Sequence, residues 1–264
     1  MLRRTASRRS PVKHLCWLLV PVRAASIVAI TTALWIVYLT GGLVRRTPAQ
    51  RIAWRNHSIQ RWARVCLPVM GVRVDVRGVP PSGNLVVSNH LGYLDILVLA
   101  SQMPTIFVSK AEVAHWPFMG RVAASAGTIF VKREEKRSLV ETAHEIEEEL
   151  RLGSNVVLFP EGTSSGGEQV LPFRPSLLDP AARGGLPVAH ASLRYISPRG
   201  FPPAKEAICW WRDMPFGSHV LGLLRLPRIG AEVTFGAEPL VGSDRKDLAH
   251  RLWEATRAHF EPSL

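Results

Sequence analysis

Hydrophobic positions along the chain follow two patterns. Residues 24–44 are 21 consecutive uncharged residues rich in Ile, Val, Leu, Trp and Tyr, close to the roughly 20 that a helix needs to cross a bilayer core of about 30 Å. A shorter apolar run, 15–22, precedes it and is interrupted by Pro21 and Arg23. A cleavable signal peptide carries a single short run; the second, longer run fits a retained anchor better. From 48 to 69 the apolar residues Ile52, Trp54, Ile59, Trp62 and Leu67 recur at loosely helical intervals among Arg51, Arg55, Arg61 and Arg64. That pattern reads as an interfacial helix leading into the body of the protein, with an ordinary surface helix as the alternative.

From residue 75 onward short β-type runs alternate with helical stretches. Strands are predicted at 85–88, 106–109, 128–131, 156–159, 188–193 and 232–235. A helix is predicted over 138–152, with Ser138 and Glu141 as a capping box, an apolar stripe of Leu139, Ala143, Ile146 and Leu150, and Gly153 as its stop. A C-terminal helix after Ser243 places Leu248, Leu252 and Ala255 on one face. This alternation predicts an α/β fold, a mixed sheet flanked by helices, preceded by an N-terminal membrane-anchoring helical hairpin. Two regions follow: 1–74, a basic anchoring region, and 75–264, the α/β domain.

Charge sharpens that division. Residues 1–74 hold 13 of the 33 Lys and Arg and none of the 21 Asp and Glu, so the whole formal excess of +12 lies in the first quarter of a 264-residue chain. A nucleic-acid surface spread over the folded body is therefore excluded, and an anionic membrane surface is the expected partner. Six basic residues precede the long apolar run (Arg3, Arg4, Arg8, Arg9, Lys13, Arg23) and six follow it (Arg45, Arg46, Arg51, Arg55, Arg61, Arg64), so the positive-inside rule selects no orientation. A re-entrant hairpin, with 15–22 entering, 24–44 leaving and a bend at Pro21, would place both flanks on the cytoplasmic face. Cys16, Cys66 and Cys209 lie far apart, so neither a zinc knuckle nor a disulfide framework is read, and no metal or cofactor is expected.

The chemistry lies at strand ends. The apolar strand 85–88 runs into Asn89 and His90, with Asp95 five positions beyond His90. On a regular helix such a pair diverges by about 140°, so the two side chains meet only if His90 lies in a bend before the helix and Asp95 in its first turn. Gly92 permits the bend. A carboxylate on one imidazole nitrogen leaves the other free as a general base. Strand 128–131 ends on Lys132 and Arg133, and strand 156–159 on Pro160, Glu161, Gly162, Thr163, Ser164 and Ser165.

In this order and spacing the segments resemble the blocks of the glycerolipid acyltransferase family, best known for its lysophosphatidate acyltransferases, over roughly residues 50 to 200. Asn89, His90 and Asp95 match the Asn-His-x4-Asp block. Gly127, Phe130 and Arg133 match the second block, with Val131 in place of isoleucine. Phe159 to Thr163 and Ser165 match the third. The fourth is half present, with Pro187 in place and His190 where a second proline would stand. The resemblance implies transfer of a fatty acyl group from acyl-CoA or acyl carrier protein to the hydroxyl of a lysophospholipid acceptor. It makes His90 the base and Asp95 its orienting carboxylate. It makes Lys110 and Arg133 ligands of the acceptor's phosphate, with Glu161, Gly162 and Thr163 shaping the acceptor site and helix-start amides available to an oxyanion.

One position departs from the family pattern. Ser164 stands where the third block carries arginine, which removes a bidentate phosphate ligand and opens lyso-ornithine lipid as an alternative acceptor. The change also writes Gly-x-Ser-x-Gly across 162–166, with Asp213 and His250 following in the order of a serine esterase. Prolines and glycines after Ser165 oppose the helix that such a nucleophile requires. Trp210 and Trp211 are expected in the core.

Overall fold

The computed structural model describes residues 16–116, 119–131 and 136–264. A 3-10 turn at Cys16–Leu18 leads into helix α1 (Leu19–Leu43), and the chain returns as α2 (Pro48–Met70). Sequence sets the start of α2 sharply: the Thr47 hydroxyl accepts the Gln50 amide at 3.2 Å, and the Gln50 side chain accepts the Thr47 amide at 3.3 Å. Pro48 at the first helical position completes this cap. The helices run antiparallel, pinned by Trp62 Nε1 donating to Thr31 Oγ1 at 2.9 Å and Trp54 Nε1 donating to the Tyr38 carbonyl at 3.0 Å.

A helical hairpin is present, but its turn lies at 44–47 and not at Pro21. Pro21 falls in the first turn of α1, where an absent N–H is tolerated because the opening amides of a helix have no intrahelical acceptor. Arg23 does not break the helix either: its guanidinium donates to the carbonyls of Leu224 at 2.9 Å, Leu226 at 2.6 Å and Pro227 at 3.2 Å. These include the unpaired carbonyls that end a later helix, which favour a cation.

Seven strands form one sheet: β1 (Val72–Arg77), β2 (Leu85–Ser88), β3 (Thr105–Lys110), β4 (Ile129–Val131), β5 (Asn155–Leu158), β6 (Val188–Ile196) and β7 (Ile229–Phe235). Their order is β1-β7-β6-β2-β5-β3-β4. All neighbours are parallel except β6 and β7, so the sheet is mixed. The connecting helices are α3 (Leu94–Gln102), α4 (Met119–Ser125), α5 (Lys136–Arg151), α6 (Asp179–Gly184), α7 (Ala204–Ala207), α8 (Phe216–Arg225) and α9 (Arg245–Ala258).

The two-residue period of the strands divides the core into two layers. Val86 and Val157 point into one, with Ala63, Leu67 and Met70 of α2, Leu94, Val98 and Leu99 of α3, and Leu223 and Leu224 of α8. Leu85, Val87, Val156 and Leu158 point into the other, with Ile146 of α5 and Leu248 and Leu252 of α9. Helices on both faces explain why the central strands read as unbroken apolar runs. Strand β1 escapes that signature: it is an edge strand whose residues alternate valine with charge and are mostly exposed. The described part of helix α5 begins at Lys136, with Ser138 inside its first turn; the capping box read at Ser138 lies outside the described side chains. At α9 the cap is Asp244, whose carboxylate accepts the Lys246 and Asp247 amides, each at 2.8 Å.

Candidate active site

Strands β2, β5 and β3 are adjacent and parallel, so their carboxyl ends open on one edge of the sheet. Such edges are where α/β sheets gather reactive groups. At the end of β2, Asn89 is fully buried, and its side-chain amide donates to the Leu193 carbonyl at 2.9 Å and accepts the Leu193 amide at 2.7 Å. It thus adds a rung to the β2–β6 ladder and fixes where the next residue emerges. His90 then sits in the bend before α3, and Asp95 in the first turn of that helix, as the spacing requires.

Nδ1 of His90 lies 2.7 Å from Asp95 Oδ2. Because a carboxylate only accepts, Nδ1 carries the proton and Nε2 keeps its lone pair. The ring stacks on Phe159 with centroids 4.1 Å apart. Asp95 is fully buried, and among the described residues no Lys or Arg bonds to it and four donors hold its charge. Three meet Oδ2: His90, the Leu91 amide at 2.6 Å and the Gly92 amide at 3.0 Å. The fourth is the Tyr195 hydroxyl on Oδ1 at 2.7 Å. These two helix-start amides therefore serve Asp95 and are not open to an oxyanion. Gly92 has φ +149°, and a Cβ there would stand 2.9 Å from the Trp210 nitrogen, so no other residue fits the bend.

The loop after β5 closes over His90. The Ser165 amide donates to the His90 carbonyl at 2.8 Å, and the Gly162 amide to the Phe159 carbonyl at 3.1 Å. Glu161 is buried beside them. Its Oε1 accepts the Leu171 amide at 3.1 Å, and among the described residues its Oε2 finds no donor within hydrogen-bond geometry. Burial pushes this carboxyl up to about 8; the Leu171 and His90 amides act against the shift, and the charge of Asp95 adds to it. Glu161 is therefore protonated at neutral pH. Gly162 is buried beside it and Thr163 is exposed.

Lys110 ends β3 and is exposed on the same edge, two strand spacings or about 10 Å from the line of β2. Arg133 lies outside the described residues. Gly127 of the second block approaches Arg55: a Cβ there would lie 2.4 Å from the guanidinium. Arg55 pairs with Glu149 at 2.7 Å, and Arg64 donates to the Ser101 carbonyl at 2.7 Å. Of the four arginines assigned to lipid, Arg55 thus faces the body of the protein, whereas Arg51, Arg61 and Arg64 are exposed.

The serine-esterase arrangement is not formed. No helix follows β5 before residue 175, and a nucleophile elbow runs from strand straight into helix. His250 lies on the exposed face of α9 with Glu254 at 3.5 Å, and Asp213 is exposed. Trp210 is half-buried in an aromatic cluster with Tyr93, Trp116 and Phe216 beside the bend that carries His90, and not in the core as expected. The Trp210 amide donates to the Leu91 carbonyl at 2.8 Å. Sequence reasoning assigned no role to Asn89, Phe159 or Tyr195. The first two lie inside the matched blocks, whereas Tyr195 is 100 positions from Asp95 and nothing local marks it.

With this geometry in place, known proteins give a consistent picture. The family model described as Acyltransferase matches residues 73–193. A lyso-ornithine lipid O-acyltransferase of Rhodobacter capsulatus is 39% identical over 203 residues, covering 74% of this chain and 72% of its own. The chain belongs to the acyltransferase family. A 1-acyl-sn-glycerol-3-phosphate acyltransferase of Neisseria meningitidis is 29% identical to this acyltransferase, over 86% of this chain and 89% of its own. The fold is that of the crystal structure of the 1-acyl-sn-glycerophosphate (LPA) acyltransferase PlsC from Thermotoga maritima. The two superpose with a TM-score of 0.60 at 18% identity, over 89% of this chain and 97% of that one.

Proposed function

We propose that this acyltransferase moves a fatty acyl group from the thioester of acyl-CoA or acyl carrier protein to the hydroxyl of lysophosphatidate, forming phosphatidate at the cytoplasmic face of a membrane. The observation that carries the reading is the His90–Asp95 pair, 2.7 Å apart, with Nε2 of His90 free at the carboxyl edge of the sheet. In the proposed step Nε2 takes the proton from the acceptor hydroxyl as its oxygen attacks the thioester carbonyl. Collapse of the tetrahedral intermediate expels the thiolate, and the imidazolium returns the proton to that sulfur. Asp95 stabilises the imidazolium in between. Lys110 and Arg133 hold the phosphate, and Glu161, Gly162 and Thr163 line the acceptor side.

Two observations favour a second reading, lyso-ornithine lipid as the acceptor. Ser164 stands where the family's arginine would bind phosphate, and the Rhodobacter capsulatus relative carries that activity in its name. The test is a panel with purified enzyme, in which lysophosphatidate and lyso-ornithine lipid are each offered with acyl-CoA and with acyl carrier protein. Turnover of lysophosphatidate, with Ser164→Arg lowering its KM, supports the first reading. Acylation of the ornithine lipid alone, damaged by Ser164→Arg, supports the second. Covalent labelling by a serine-reactive phosphonate would contradict both.

A further inference from the structure

We propose that Tyr195 is a positioning residue that sets the charge density on Asp95 and, through it, the basicity of His90. The inference rests on the reading of His90 as the base. Of the donors on Asp95, three converge on Oδ2; among the described residues Tyr195 alone meets Oδ1. Both side chains are fully buried. The two backbone amides come from the bend itself, so they hold Asp95 wherever that bend goes. Tyr195 instead comes from the carboxyl end of β6, the neighbour of β2, and ties the carboxylate to the sheet.

The tyrosine is itself held at several points. Its amide donates to Ser263 Oγ at 3.1 Å, and its carbonyl accepts the Leu264 amide at 2.9 Å. The Ser263 amide reaches the Gly167 carbonyl at 2.8 Å. The residues that fix Tyr195 thus also fix the loop that closes on His90. Burial and the charge of Asp95 push the phenol well above its ordinary pKa, so it remains a donor. The other titratable groups around this carboxylate are His90 on the bend, Tyr93 at the start of α3, Glu161 from the loop after β5 and Cys209. Burial holds Cys209 near 12 and pushes Tyr93 above its ordinary range, and Glu161 ionises only near 8. The Tyr93 hydroxyl in turn meets Nδ1 of His219 at 2.9 Å, outside the bonds to Asp95. The acidic limb of kcat/KM follows protonation of a general base.

A hydrogen bond to Oδ1 withdraws charge from the carboxylate. Without it, Asp95 stabilises the imidazolium more strongly, and the base is lost at a higher pH. In full-length enzyme, with the donor and acceptor that wild type turns over, Tyr195→Phe should move the acidic limb of kcat/KM up by about half a pH unit and lower kcat about tenfold, with the acceptor KM unchanged. Placing 3-fluorotyrosine at 195 strengthens the donor without changing its shape and should move the limb the opposite way. That second variant decides the matter should the phenylalanine variant misfold. Limbs that coincide with wild type, or that move in the same direction in both variants, overturn the role of Tyr195. An active His90→Ala enzyme overturns the base assignment instead, so the two failures are distinguishable.

Discussion

A histidine five positions before an aspartate is a weak signal by itself, and its meaning here comes from how little freedom either residue has. Asn89 pins the end of β2, Gly92 accepts the close approach of Trp210, and four donors hold the buried Asp95. His90→Ala should therefore lower turnover a hundredfold or more without unfolding the protein, and Asp95→Asn should also lower it by freeing the imidazole tautomer. Steady-state kinetics beside thermal melting check both, and near-normal turnover of folded His90→Ala would remove it as the base. Glu161 makes a separate prediction about pH. Its folded pKa of about 8 lies above the ordinary 4.5, so between these values the folded state binds a proton that the unfolded state has lost. Its contribution to stability is therefore present in acid and fades as pH rises from about 4.5 through 8. Glu161→Gln should flatten this part of a plot of Tm against pH, and an unchanged slope would mean that Glu161 is ionised when folded. The His90–Asp95 pair was legible because it is local. Tyr195 was not, because only the pairing of β2 with β6 brings its strand beside the bend.

Among the elements, α2 differs most from its reading as an interfacial helix. Ala63, Leu67 and Met70 enter the core, and Arg55 joins Glu149, Asn56 and Ser154 in a buried polar network beneath the second block. Arg55 looked like a lipid contact in sequence because charge and helical spacing cannot distinguish a lipid phosphate from a glutamate on α5. Gly127 adopts φ +74° directly against this guanidinium. Gly127→Ala should cost about 1–3 kcal/mol, from the left-handed backbone and the displaced arginine together. Denaturant unfolding measures the loss, and a neutral substitution would show that Arg55 has room to move.

At the scale of the whole molecule, the long apolar helix α1 is joined to the α/β body through side chains. Helix α1 belongs to an apolar stretch, Cys16–Leu43, of 28 residues, within which an 18-residue window has mean hydropathy 1.8, and among the described residues it is the one helix long and apolar enough to cross a membrane. Trp35, Ile36, Leu39 and Leu43 are exposed on it, an apolar surface that suits lipid. Thr31 and Tyr38 hold α2, and Arg23 holds the end of α8. Deleting residues 1–46 should move the protein from membranes to the soluble fraction, and a high-salt wash should complete the release because Arg51, Arg61 and Arg64 remain as outward cations. Retention of the truncated protein through such a wash would place the anchor elsewhere.

Local pattern was enough for the α/β class, the buried central strands, the long apolar helix and the three blocks of the site, because each is written in neighbouring residues whose periodicity or order has one physical meaning. The turn of the hairpin, the edge strand β1, the inward Arg55 of α2 and the bond from Tyr195 to Asp95 were decided by packing. In each of these the same side chain can be satisfied in two ways: a proline by a bend or by a helix start, an arginine by lipid or by a carboxylate, and a tyrosine by core packing alone or by a hydrogen bond as well. Contacts from residues 90 to 200 positions away make the choice.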